Sequence, residues 1–392
     1  MKNGYVYHTA RDNTDNIQVG AVLRCGENVL GVARALAALN PANLTKDRTE
    51  ETLVYFELLG SMVVSYPIWV GKIINLATCV LCVFIIFINL VCFSKKSDLA
   101  LCSLFWRLFL IFCGRIGFVL IGVIWAYGTA KILEIANCTM PWFDSLHLIF
   151  ILYVMPVIVA DIAVSKLVEY LLSCCKLIEK QISVLIFMSV HLLFVVLTMM
   201  GTFASIFPAS SFLPMFFVFF PLFATMFLKN ADTIVTALFT AFPIAYCSYI
   251  VVIVIPFFAA IQGRKGTSEN PDLYIGIGSS VFAIVILSYS SAKIPKDKWA
   301  PFLAVILLLT YAIVLVAVVF TPLGFPYTAQ HQMKRYKVLH IDETVLRNEK
   351  QVSHSQGITV EDEDFRWVNL SGIVPGFDND NKRCYDSTFL LY

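Results

Sequence analysis

The chain has 392 residues, 58% hydrophobic and 14% charged, with a mean hydropathy of +0.77. Soluble domains carry about 25% charged residues, so this composition excludes an ordinary soluble protein and points to a membrane. A net charge of +2 from 29 basic and 27 acidic residues leaves no polybasic tract for nucleic acid and no acidic arm.

Taken from the start, roughly the first 50 residues are polar or amphipathic, without the early apolar region of a cleavable signal peptide. Val22, Cys25, Val29, Val32 and Leu36 recur at three-to-four-residue spacing, which predicts an amphipathic helix over about 15–39 with Asn40-Pro41 as its stop. A helix crosses the hydrocarbon core with ~20 mostly apolar residues. Eight segments come close to that or exceed it: 73–93, 104–127, 146–163, 182–200, 212–228, 234–261, 273–290 and 301–320. Pro156, Pro221, Pro243 and Pro256 fall inside them, where neighbouring helices satisfy the freed carbonyls. Beyond them, 336–341 and 365–370 read as strands separated by the polar stretch 347–356, and Pro375-Gly376 marks a turn. The predicted architecture is an all-α bundle of eight transmembrane helices over 61–322, between an N-terminal segment 1–60 and a small β-rich tail 323–392 expected to be incomplete.

Orientation follows from the basic residues of the short loops. With the N-terminus luminal, the cytosolic loops hold Lys95, Lys96, Arg107, Lys166, Lys176, Lys180, Lys229, Lys293, Lys296 and Lys298, against Lys131, Arg264 and Lys265 in the luminal loops. That ten-to-three division places both termini in the lumen. Trp69, Trp106, Trp125, Trp142 and Trp299 all fall at predicted span edges, where an amphipathic indole is favoured. The N-glycosylation acceptors Asn43, Asn137 and Asn369 all lie on the luminal side. Cys79, Cys82, Cys92, Cys113 and Cys247 sit in apolar runs and act as small hydrophobes. Cys25, Cys138 and Cys384 stand outside such runs and are open to oxidation.

Three polar residues lie within predicted spans: Arg115 near the middle of the second, His191 near the middle of the fourth, and Asp161 close to the cytosolic end of the third. A centred arginine costs on the order of 2.5–3.5 kcal/mol to insert, so it should face the bundle interior. Two readings stand, a solute or proton pathway with His191 titrating, and a structural contact between helices. One arginine and one histidine on separate helices do not make a relay. The loop from Gln262 to Asp272 reads as turn chemistry, with Asn270-Pro271 ending one element and Asp272 starting the next. No H-E-x-x-H, G-x-S-x-G, Walker or dinucleotide motif occurs.

One motif is more specific. Tyr7-His8-Thr9-Ala10-Arg11-Asp12-Asn13-Thr14-Asp15-Asn16-Ile17, followed by Arg24-Cys25-Gly26-Glu27-Asn28-Val29-Leu30, resembles the close of the catalytic domain in two-zinc aminopeptidase-type metallopeptidases. That family ends its domain on a Tyr-His-Thr-x-x-Asp-Thr stretch and a final helix; Asn13 stands where the pattern has Thr. With Glu57-Leu58-Leu59-Gly60, Val64-Ser65-Tyr66-Pro67 and Thr321-Pro322-Leu323-Gly324-Phe325-Pro326-Tyr327, the order is similar to the endoplasmic reticulum metallopeptidase (Felix-ina) group, over essentially the whole chain. The resemblance implies an endoplasmic reticulum membrane protein with a luminal zinc peptidase domain, a multi-span block and a luminal β-rich tail. Its partners would be the lipid bilayer and a luminal peptide or protein substrate.

Within that resemblance His8 matches the family's last zinc-binding histidine, and residues 1–60 match the end of its α/β peptidase domain. A two-zinc site also needs a bridging carboxylate, further ligands and a general-base carboxylate, and none is carried over to this chain. No catalytic residue is therefore assigned, and one imidazole does not hold a catalytic zinc. Asp12 and Asp15 suit support of a ligand or a helix start. Peptide hydrolysis is expected of full-length relatives and not of this chain alone. The alternatives are a non-catalytic membrane scaffold, or a transporter-like protein using Arg115 and His191.

Overall fold

The computed structural model describes residues 11–39, 52–58, 62–97, 99–143, 145–173, 179–203, 233–262, 270–291, 299–321, 323, 334–347, 350–362, 384–385 and 388–391. After a single 3-10 turn at Thr14–Asn16, helix α1 spans Ala21–Ala37. It begins later than the apolar spacing predicts, because Gly20 stands before it at φ +83, a left-handed conformation that ends any helix entering from Asp15. The expected apolar face forms, and Val22, Val29, Val32 and Leu36 on it are exposed.

Strands β1 (Leu53–Leu58) and β2 (Met62–Pro67) pair as an antiparallel hairpin that runs straight into the first long helix, α2 (Ile68–Ser97). Helix α3 (Leu101–Ile135) follows, 35 residues long. Helix α4 is continuous through His147–Ile149, a π turn at Phe150–Val154, and Met155–Ser173. Then come α5 (Glu179–Phe203), α6 (Thr233–Gln262), α7 (Pro271–Ser291) and α8 (Ala300–Phe320). Seven of the described helices are long and apolar enough to cross a membrane. They match seven of the eight predicted spans, and the remaining one, 212–228, lies outside the described residues.

Helix α3 is the hub of the bundle, packing on α2, α4, α5 and α7, while α6 reaches α7 and α8 reaches α4. One apolar core joins Leu104, Leu108, Ile111 and Phe118 of α3 to Leu90 of α2, Val157 and Ala160 of α4, Leu185 of α5 and Ile284 of α7. A second, nearer the C-terminal end of α3, joins Leu133, Trp142, Leu152, Tyr153, Ile275 and Tyr311. Phe302, Leu303, Leu309, Ile313, Val316 and Phe320 of α8 face outward, the surface that a helix presents to lipid rather than to water. The chain is therefore a helical membrane bundle in contact with lipid.

Two helices run two turns or more past their predicted ends. The polar turns beyond the second and third spans stay helical because Lys131 pairs with Glu134 and Lys166 with Glu169 three residues on, contacts that stabilise a helix surface. In the tail, β3 (Tyr336–Arg347) and β4 (Lys350–Asp362) form a long antiparallel hairpin. With β5 (Cys384–Tyr385) and β6 (Thr388–Leu391) they make a sheet in the order β3-β4-β6-β5. The polar stretch 347–356, expected to separate strands, instead contributes the last residue of β3 and the first half of β4. Ser353, His354 and Gln356 are all exposed, and a run of polar residues lacks the apolar alternation by which a strand is recognised. The predicted strand 365–370 and the turn at 375–376 lie outside the described residues.

Candidate functional site

The structure brings Arg115 and Asp161 together. Arg115 lies near the middle of α3, and its Nη1 donates to Asp161 Oδ1 of α4 at 3.0 Å, with side-chain exposures of 4% and 3%. Asp161 is thus well inside a helix that continues to Ser173, rather than near its end. Each ion alone would be expensive in a low-dielectric interior, and each supplies the other's counter-charge. His191 does a different job. Its Nδ1 is 2.7 Å from the carbonyl oxygen of Phe187 one turn earlier in α5, and its ring lies 4.2 Å from the Phe187 ring.

A second polar cluster forms where α3 ends and α7 begins. Asn270 caps α7, its Oδ1 accepting the backbone N–H of Asp272 at 2.9 Å and of Leu273 at 3.3 Å. Pro271 takes the first helical position, where no N–H is needed. Asp272, fully buried, accepts from Trp142 Nε1 at 2.8 Å and Tyr153 Oη at 2.9 Å on one oxygen. Its other oxygen accepts the Met140 backbone N–H at 2.8 Å. Three donors on a buried carboxylate give short, charge-assisted bonds that offset its desolvation. Next to it, Glu134 Oε2 accepts from Lys131 at 2.8 Å and from Asn270 Nδ2 at 2.6 Å.

Tyr153 sits in the π turn of α4, and Gly276 of α7 lies against its ring; a Cβ there would stand 2.6 Å from Tyr153 Cε1. Together these contacts fasten the start of α7 to α3, α4 and the segment joining them. Trp142, expected at the membrane interface, is instead fully buried because its indole N–H is committed to Asp272. The sequence contained the elements of this cluster, an acidic residue after Asn-Pro and an indole at a span edge, but no spacing that links them.

Of the glycosylation acceptors, Asn43 and Asn369 lie outside the described residues, as does His8. Asn137 follows the end of α3 at φ 54. Its N–H bonds the Glu134 carbonyl and that of Cys138 the Leu133 carbonyl, the Schellman closure in which asparagine is one of the few residues to replace glycine. Cys25 is exposed and Cys138 half-buried, both as free thiols.

Across 96% of its length the chain is 25% identical to endoplasmic reticulum metallopeptidase 1 of Mus musculus. It is 24% identical, also over 96% of its length, to the proteins of that name from Rattus norvegicus and Homo sapiens. The chain is a homologue of the endoplasmic reticulum metallopeptidases. It spans 42% of the length of these relatives. No protein-family model matches it, and no solved structure does. A metallopeptidase requires a metal, and zinc suits the chemistry. Among the described residues no three His, Cys, Asp or Glu side chains converge as metal ligands. Asp272 and Asp161 are already engaged by protein donors, so the described residues do not fit a zinc site.

Proposed function

We propose that this chain is the membrane block and luminal tail of an endoplasmic reticulum zinc metallopeptidase, holding a peptidase domain at the membrane without supplying its catalytic centre. The observation that carries this reading is the similarity to proteins of that name over nearly the whole chain, joined to a structure whose described part is chiefly membrane helices. Peptide hydrolysis belongs to the complete relatives, with His8 as one zinc ligand among several from elsewhere in the domain. For the isolated chain the role is anchoring. The buried polar groups support this over transport, since Arg115 and Asp161 neutralise each other and His191 Nδ1 is tied to its own helix.

The bundle sits in the endoplasmic reticulum membrane with both termini in the lumen, as the ten-to-three division of loop charges supports. A reporter carrying a glycosylation acceptor, fused after Tyr392, becomes endoglycosidase-sensitive if this orientation is right. Protease protection that leaves the C-terminus cytosolic would overturn it. The detergent-purified chain is expected to carry well under one zinc ion per molecule and to cleave no peptide. About two zinc ions per chain, with peptidase activity lost in His8→Ala, would show that the site is built within these residues.

A further inference from the structure

We propose that Asn137 accepts an N-linked glycan only before α7 docks, because docking folds its acceptor sequence into the bundle. This rests on the luminal orientation proposed above. The reaction joins Asn137 Nδ2 to the anomeric carbon of an oligosaccharide carried on a lipid pyrophosphate. The sugar–oxygen bond to the pyrophosphate breaks, the lipid pyrophosphate leaves with the electron pair, and Nδ2 gives up a proton. The transferring enzyme has to reach both the carboxamide of Asn137 and the hydroxyl of Thr139.

In the folded chain the first is exposed and the second is not. Thr139 has 0% of its surface exposed. The backbone on either side is fixed in left-handed conformations, φ 54 at Asn137 and 57 at Met140. The Met140 N–H is held by Asp272, and the Cys138 thiol lies 3.6 Å from the carbonyl oxygen of Val319 in α8. A segment pinned by a helix closure, a buried carboxylate and a neighbouring helix does not open to an extended acceptor without releasing those bonds. Asp272, however, follows Met140 by 132 residues, which at roughly 5–20 residues per second leaves ~7–26 s of synthesis during which the segment has no clasp. The acceptor is therefore available while the chain is being made and closed once α7 is in place.

The test uses the full chain with Asn43→Gln and Asn369→Gln, so that Asn137 is the acceptor being read, plus the glycosylatable C-terminal reporter. It is made in membranes depleted of the oligosaccharide donor, which is restored after chain release. The parent is expected to stay unmodified at Asn137 in this order of addition and to be modified when donor is present throughout. Asp272→Ala should raise late modification by at least about tenfold, the factor set by the one of its three charge-assisted hydrogen bonds that holds the Met140 N–H. Arg115→Ala, which loosens the bundle elsewhere, should leave late modification as in the parent. Late modification of the parent equal to that of Asp272→Ala overturns the proposal. So does an equal rise in Arg115→Ala, or an Asn137 unmodified in the parent under every condition while the reporter is modified. A reporter that is never modified overturns the orientation instead, and the proposal falls with it.

Discussion

Arg115 and Asp161 are each a liability to the bundle without the other. Removing one member of a buried pair leaves an uncompensated charge, and such losses run to about 3–5 kcal/mol. Arg115→Ala and Asp161→Ala should therefore each lower the thermal midpoint of the detergent-solubilised protein. The paired change Arg115→Met with Asp161→Leu should regain most of the loss, because two apolar side chains of similar bulk need no counter-charge. A single variant as stable as the parent would mean that the ion is solvated or paired elsewhere. The Asp272 node differs in kind, since it accepts from three neutral donors, and no apolar replacement can satisfy the Met140 N–H, the indole and the phenol together.

At the scale of elements, α7 meets α4 where Gly276 lies flat against the Tyr153 ring. Gly276→Ala puts a methyl 2.6 Å from Tyr153 Cε1, so the ring or the helix has to shift. Overpacking of this kind is expected to destabilise by about 1–3 kcal/mol, read as a lower midpoint and a more readily protease-cut segment before α7. A midpoint unchanged from the parent would show that the two helices are less closely seated. Most helices were legible in the sequence because length and apolarity alone define a span. Their partners were not. Arg115 and Asp161 each stood out as a charge in an apolar run, yet they are 46 residues apart on different helices, and no periodicity encodes the rotation that turns one toward the other. Trp142 was misplaced because an indole at a span edge suits the interface, and only the buried Asp272 draws it inward. The first half of strand β4 was missed because its residues Ser353, His354 and Gln356 are polar and exposed, with no apolar alternation to mark a strand.

For the molecule as a whole, the lengths of its helices do not agree with one another. Helix α8, 21 residues long, rises about 32 Å at 1.5 Å per residue, close to the ~30 Å of a hydrocarbon core. Helix α3 has 35 residues, a rise of about 52 Å, and the stretch between its flanking charges Arg107 and Lys131 alone is about 36 Å. The two cannot both stand along the membrane normal with their apolar stretches matched to one hydrocarbon thickness. Either α3 leans, carrying its four neighbours with it, or the lipid around it stretches, and each costs fractions of a kcal/mol per ångström. The bundle thus has a preferred bilayer thickness. Reconstituted in lipids of graded acyl-chain length, it should unfold at a temperature that passes through a maximum; a midpoint indifferent to chain length would mean that α3 keeps part of its apolar stretch outside the bilayer.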